Sequence, residues 1–288
     1  MHSMKRALAL LLALVMLFTL SGCGGLEARL IRASHKLSKL QSLRMDMQLD
    51  SSMGMSLFGQ ESSLDLDMTG RGELMLKPLK LYMQTETEAF GQGQKMLSYL
   101  EENESSYELY LSADGESWEH STLDALGRSA QTQPVEQLKA MLELAKGFEE
   151  SGRESVRGET ATVYSGSIAG EYVRLLLENT GLLSSLEEAL EVDPSQLSLE
   201  DMGSVPVTLA LGDKSGLPLK CTMDLTAVLR CIMDVVMKEL LARYGIEDLN
   251  LEAWGVSVSV EKALLTVEFY DFDQVREISI PAAVLNAA

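Results

Sequence analysis

From Leu43 the chain alternates. Leu43, Met45, Met47, Leu49, Met53, Met55 and Leu57 are interleaved with Arg44, Asp46, Gln48, Asp50, Ser52, Gly54 and Ser56. A period of two puts apolar side chains on one face of an extended strand and polar ones on the other, so the pattern predicts a long strand with one buried and one wet face. The next run repeats it, with Leu64, Leu66, Met68, Leu74 and Leu76 set against Asp65, Asp67, Thr69, Arg71 and Glu73. Gly70 and Gly72 interrupt its apolar face, which predicts a bulge or sharp bend. A third strand is expected from Leu79 and two more at 96–100 and 107–111, with Asp114-Gly115 turning towards Trp118. Further strands are expected over Val156–Ile168, Val205–Leu211, Leu217–Leu225, 254–260 and 263–270, with a short one before Pro281. Gly212 to Gly216 reads as a hairpin loop.

Helical spacing marks the other segments. Leu26, Leu30, Ala33, Leu37 and Leu40 predict a first helix, and Val135, Leu138, Met141, Leu142 and Ala145 a second one within 134–148. Glu171 to Glu191 reads as two short helices broken near Thr180-Gly181. Thr226 to Tyr244 reads as an apolar helix with Arg230, Asp234 and Lys238 along one polar edge. Long alternating strands separated by isolated helices predict an α+β fold with an antiparallel sheet. No repeat or low-complexity linker divides the chain after its first residues, which favours a single domain.

Those first residues follow a different logic. Lys5 and Arg6 precede fourteen mostly apolar residues, Ala7 to Leu20, and then come Ser21, Gly22 and Cys23. A basic start, a short apolar core and a small-residue cleavage site make a secretory signal peptide. The run falls short of the roughly 20 residues that span a bilayer. Leu20-Ser21-Gly22-Cys23 resembles the lipobox of bacterial lipoproteins. The resemblance implies that Cys23 is acylated through its sulfur, that residues 1–22 are removed, and that 23–288 is an extracytoplasmic domain anchored to the cell membrane. Only Gly24 and Gly25 separate Cys23 from the first helical run, so that domain would sit close to the lipid.

Charge narrows the partners. The chain carries 24 Lys+Arg against 43 Asp+Glu, a net charge of −19. Without Lys5 and Arg6 the balance becomes 22 against 43, or −21. Such a surface repels phosphate backbones and anionic headgroups, which argues against nucleic acid and leaves membrane attachment to the lipid. A hydrophobic content of 46% supports a substantial core. Cys221 and Cys231 each fall among apolar residues and read as small buried hydrophobes rather than a disulfide.

Candidate chemistry is sparse. His35 and His120 are the histidines after the leader, and no H-E-x-x-H, P-loop or C-x-x-C accompanies them. Gly91-Gln-Gly93 lacks the rest of a dinucleotide fingerprint, and Gly166-Ser-Ile-Ala-Gly170 misplaces its serine for a nucleophile elbow. Asp65/Asp67 and Asp271/Asp273, at strand spacing, read as a wet strand face without a full calcium ligand set. No enzyme, cofactor or metal site is expected. Methionine stands out, with 13 of 16 after the leader and the pairs Met45-x-Met47 and Met53-x-Met55. Such thioethers can bind Cu(I). Leucines share their face, however, and flexible apolar lining is the preferred reading.

The order of elements resembles the LolA/LppX-like superfamily of bacterial envelope lipoproteins and lipoprotein carriers. The likeness rests on the first helix ending in Leu40-Gln-Ser-Leu43 and the long strands after it, and on Gly158-Glu-Thr-Ala-Thr-Val-Tyr164 leading to Glu171-Tyr-Val. It also rests on Leu211-Gly-Asp-Lys-Ser-Gly-Leu-Pro-Leu-Lys220 and on the closing Phe269-Tyr-Asp-Phe-Asp-Gln-Val-Arg-Glu-Ile-Ser-Ile-Pro281. It implies a strongly curved antiparallel half-barrel with helices over its concave apolar face, where some members hold acyl chains. The expected function is non-enzymatic binding of a lipid-like or amphipathic ligand, with Met45, Met47, Met53, Met55, Leu66 and Met68 as candidate lining and the 226–244 helix as a lid. The alternative is a protein-interaction or sensory domain with a filled interior. The sequence leaves both open.

Overall fold

The computed structural model describes residues 25–57, 60–89, 91–103, 106–124, 134–179, 203–243 and 256–286. Cys23 and the leader lie outside them, as do Tyr244 and the second short helix expected before Glu191. Eleven strands form one open antiparallel sheet: β1 (Ser42–Leu57), β2 (Gln60–Leu76), β3 (Leu79–Ala89), β4 (Gln92–Glu102), β5 (Ser106–Ser112), β6 (Glu119–Asp124), β7 (Glu149–Val156), β8 (Glu159–Ala169), β9 (Ser204–Gly212), β10 (Pro218–Asp224) and β11 (Val256–Tyr270). Their spatial order is 6-5-4-3-2-1-11-10-9-8-7. The last strand closes against the first. β6 and β7, consecutive in sequence, form the two opposite edges. This is the α+β antiparallel fold that the pattern predicts, in the curved half-barrel form that the resemblance implies.

Helices cover one face. α1 (Leu26–Leu37) and α2 (Pro134–Leu144) pack Leu30, Ala33, Leu37, Leu138 and Leu142 against Leu43, Leu74 and Leu100 of the sheet. α1 also reaches the other arm, where Arg29 donates to Thr162 Oγ1 at 3.0 Å and to Asp213 Oδ1 at 2.9 Å. Lys36 donates to the Ser215 carbonyl. α3 (Gly170–Asn179) seats Val173 in the same core. α4 (Thr226–Arg243) starts beside β11, with Ala263 N donating to Thr226 Oγ1 at 3.0 Å and Arg230 donating to the Val260 carbonyl at 2.9 Å. A fifth helix, α5 (Ala282–Asn286), follows Pro281.

Several expectations are corrected. Gly70 and Gly72 make no bulge, since β1 and β2 pair without a break from Ser42–Met75 to Leu57–Gln60. The strand expected over Val156–Ile168 is β8 from Glu159 onward, and its start is a turn at Arg157 and Gly158, with φ of 48° and 85°, that leads from a strand the pattern does not show, β7. Two successive positive φ values make the tight turn that matches strand twist. β7 is mostly exposed, so its Glu-Glu-Ser-Gly-Arg-Glu-Ser sequence shows no alternation. The described part of the 254–260 segment, from Val256, and the 263–270 segment belong to one strand. Its apolar phase shifts from Val256, Val258, Val260 to Ala263, Leu265, Val267, and Glu261 is the extra residue between the pairs Met53–Val260 and Ser52–Lys262. The slip keeps both halves facing the core.

No strand precedes Pro281. Asp271 and Asp273 sit in a turn at positive φ, and Asp273 accepts a hydrogen bond from Gln41 N at 2.7 Å to hold the start of β1. The Asp114 turn is confirmed. Its carboxylate accepts from Ser117 N, Glu116 N and Ser112 Oγ, which holds its pKa down at about 2. Cys221 and Cys231 are not joined in a disulfide, and burial pushes Cys221 up to about 12.

Candidate functional site

The pairings Met45–Gly72, Met47–Gly70, Leu49–Met68, Ser51–Leu66 and Met53–Leu64 decide which side chains share a face. Residues directly opposite on paired strands point the same way, and every second residue follows them. Met45, Met47, Met53, Met55, Leu66 and Met68 are therefore brought together on the helix-covered inner face. That face has two parts. At one end Leu43, Leu74 and Leu100 are fully buried beneath α1 and α2. Towards the other end all six candidates are only half-buried. Met96, 51% exposed, continues the same face across Thr85.

Gly70 and Gly72 explain the methionines. A Cβ on Gly72 would stand 2.9 Å from Met45 Cε and 3.1 Å from Met83 Cε, and one on Gly70 would stand 3.1 Å from Met47 Cε. The thioether chains of β1 and β3 thus lie over bare β2 backbone. Unbranched methionine chains adapt to different shapes at little cost, so this floor can rearrange. α4 is placed on the same side, with Val228 buried in the core and Ile232 and Val235 packed against it.

The outer face is polar and carries a cleft of about 370 Å³. Two transverse rows of side chains line it: Glu268–Asp46–Arg71–Gln84 and Thr266–Gln48–Thr69–Glu86, on β11, β1, β2 and β3. The β7–β8 tip folds over one side, burying Val156 and Ala161 against Ala210 and Leu219. It carries Arg157 onto the Tyr270 ring, 3.9 Å from the centroid, where the guanidinium pairs with Asp46 and with Glu268 at 2.9 Å. Burial of Arg157 opposes its charge, but its two carboxylate partners outweigh that and raise its pKa.

One step along the same strands runs the row Tyr270–Arg44–Glu73–Tyr82–Tyr99–Tyr110–His120. Tyr82 and Tyr99 are 4.9 Å apart between centroids, Tyr99 and Trp118 5.5 Å. Burial raises the pKa of Tyr99 and Tyr110. Sequence reasoning missed this face because it treated the even positions as generic wet surface. The tyrosines recurring in phase on successive strands were the available signal.

Among the described residues no group of three His, Cys, Asp or Glu is placed to hold a metal ion. No helix among them is long and apolar enough to cross a membrane. A family of unknown function, DUF6612, matches residues 27–154, from α1 into β7. A comparison with curated proteins finds no match.

Similar solved structures include LprF from Mycobacterium bovis, with 11% identity, 90% of this chain and 97% of that one covered, and a TM-score of 0.45. Lipoprotein LppX from Mycobacterium tuberculosis shows 14% identity, 89% and 98% coverage, and a TM-score of 0.40. An outer-membrane lipoprotein-sorting domain from Vibrio parahaemolyticus shows 8% identity, 89% and 95% coverage, and a TM-score of 0.22. At these identities the likeness is one of chain course, and no ligand is inferred from it.

Proposed function

We propose that this chain is an extracytoplasmic lipoprotein, anchored through Cys23 as the single domain 23–288, that holds a lipid-like or amphipathic ligand against the inner face of its sheet. The observation that carries the reading is the division of that face. Leu43, Leu74 and Leu100 are sealed under helices, whereas Met45, Met47, Met53, Met55, Leu66 and Met68 remain within reach of solvent. Half-exposed apolar surface on a concave wall gains about 25 cal/mol for each Å² that a ligand removes from water. An acyl chain suits it because methionine shapes itself to flexible guests. α4 serves as the lid, and binding needs no catalytic group.

Two acyl chains on Cys23 would hold the protein at a membrane, since each buried methylene contributes about 0.8 kcal/mol. The test is organic extraction of the purified full chain followed by mass spectrometry, run beside metabolic labelling with a fatty acid. Neutral solvent should release a near-stoichiometric lipid, and Met47→Trp should lower that yield without shifting the melting transition. Covalent label should vanish in Cys23→Ala. Absence of extractable lipid, with Met47→Trp indistinguishable from the parent, would instead support the filled interior of a protein-interaction domain. Label surviving on the alanine variant would remove the anchor.

A further inference from the structure

We infer that the outer-face cleft is a second ligand site, one that takes a short neutral oligosaccharide. Its volume of about 370 Å³ falls at the small end of ligand pockets, which run to roughly 1,000 Å³. It crosses β11, β1, β2 and β3, a trough of about 14 Å at a strand spacing of roughly 4.8 Å. Met47 and Gly70 border the cleft, but Met45, Met53, Met55, Leu66 and Met68 do not line it, and the sheet backbone lies between their side chains and the outer rows, so the two are different sites.

The charges in the cleft choose the class of ligand. Asp46, Glu86 and Glu268 face Arg71 and Arg157, so opposite signs nearly cancel. Arg157 neutralises Asp46 and Glu268, and Asp46 also accepts from Tyr270 Oη at 3.0 Å. Glu86 accepts from Gln84 Nε2 at 2.9 Å. An anion would meet three carboxylates and a cation two guanidinium groups, so neither is favoured. An apolar ligand would strip water from all of these groups without replacing its hydrogen bonds. What remains is a neutral molecule that both donates and accepts.

Arg71, Gln48 and Thr69 are the groups available to it. Their side chains hold no hydrogen bond among the described residues, although all three line the cleft. Arg71 presents a planar fork of donors and Gln48 a planar donor–acceptor pair, geometries that engage two neighbouring hydroxyls at once. The third element is aromatic. Tyr82 lies two residues from Gln84 on the same face of β3, at the end of the trough, and its ring is the first of a row that runs outward through Tyr99 to Trp118. Sugar rings present polar rims and apolar C–H faces, which such rings cover. Polar forks beside an aromatic row, with little net charge, fit a glycan better than any other class of small ligand.

The experiment is isothermal titration of the full chain, held in a detergent without a sugar headgroup, with the tetramer of N-acetylglucosamine and with maltotetraose. Trigalacturonate and spermidine serve as charged comparisons. At least one neutral tetramer should saturate with a Kd between about 10 μM and 1 mM. Arg71→Ala and Gln48→Ala should each raise that Kd at least tenfold while melting with the parent. Met55→Trp, on the other face and outside the cleft lining, should leave it within twofold. Failure of both neutral tetramers to saturate would overturn the inference. So would tighter binding of trigalacturonate or spermidine, indifference to Arg71→Ala and Gln48→Ala, or loss of sugar binding in Met55→Trp.

Discussion

A methyl group placed on Gly166 would stand 2.1 Å from Cδ1 of Phe148 and 2.6 Å from its Cγ. The Phe148 ring lies flat across the β8 backbone at that position and is 7% exposed. The obstacle is a buried ring, which has no flexible end to swing aside. Gly166→Ala should therefore destabilise by about 1–3 kcal/mol, as overpacking does. Urea unfolding checks it, and a midpoint equal to the parent's would show that the ring can move. The glycine's purpose was not legible in the sequence. Gly166-Ser-Ile-Ala-Gly170 reads there only as a failed catalytic motif, because the residue that needs the space is eighteen positions away on another element. Gly70 and Gly72 teach the same lesson, since the methionines they accommodate come from neighbouring strands.

Along β1 the inner face passes from the sealed Leu43 to the half-buried Met45 and Met47 and is buried again at Ser51, and the cost of truncation should follow burial residue by residue. Leu74 is fully buried, so Leu74→Ala should cost about 2–5 kcal/mol through lost transfer energy and a residual cavity. Met47 is half-buried over Gly70, and Met47→Ala should cost less than about 1.5 kcal/mol because solvent already reaches it. The two midpoints compared at equal m-value make the test. Equal penalties would mean that the methionine end is packed as densely as the leucine end. The register behind this contrast was legible, because alternation from Leu43 to Leu57 states which residues share a face. The degree of burial was not. Leucine and methionine look alike in a binary pattern, and only the helices above them set their exposure.

Over the whole molecule, the fold places β6 and β7 at opposite edges and sends α2 between them. The β7 edge is secured by its own tip, where Arg157 lies on Tyr270 and pairs with Asp46 and Glu268, residues distant in sequence. The Arg157 side chain is 38% exposed, and partly exposed ion pairs contribute only about 0.2–1 kcal/mol each. Arg157→Ala should accordingly lower global stability modestly, by about 1–2 kcal/mol with the ring contact included. It should raise hydrogen exchange selectively in β7 and β8. Uniform acceleration across all strands would contradict a local clasp.

The sequence by itself determined the local part of this protein. Hydrophobic period marked most of the strands and helices, and the phase of alternation set the inner face of β1 and β2. These properties rest on neighbours a few residues apart. Tertiary structure decided what depends on distant partners. It joined 256–270 into one strand through the slip at Glu261 and made an edge strand of the polar Glu149–Val156 segment. It also lined up tyrosines from separate strands and carried Arg157 across the sheet to form the outer cleft. A side chain's own chain position fixes its face but not its neighbours, and the methionine surface and the outer cleft are both made of neighbours.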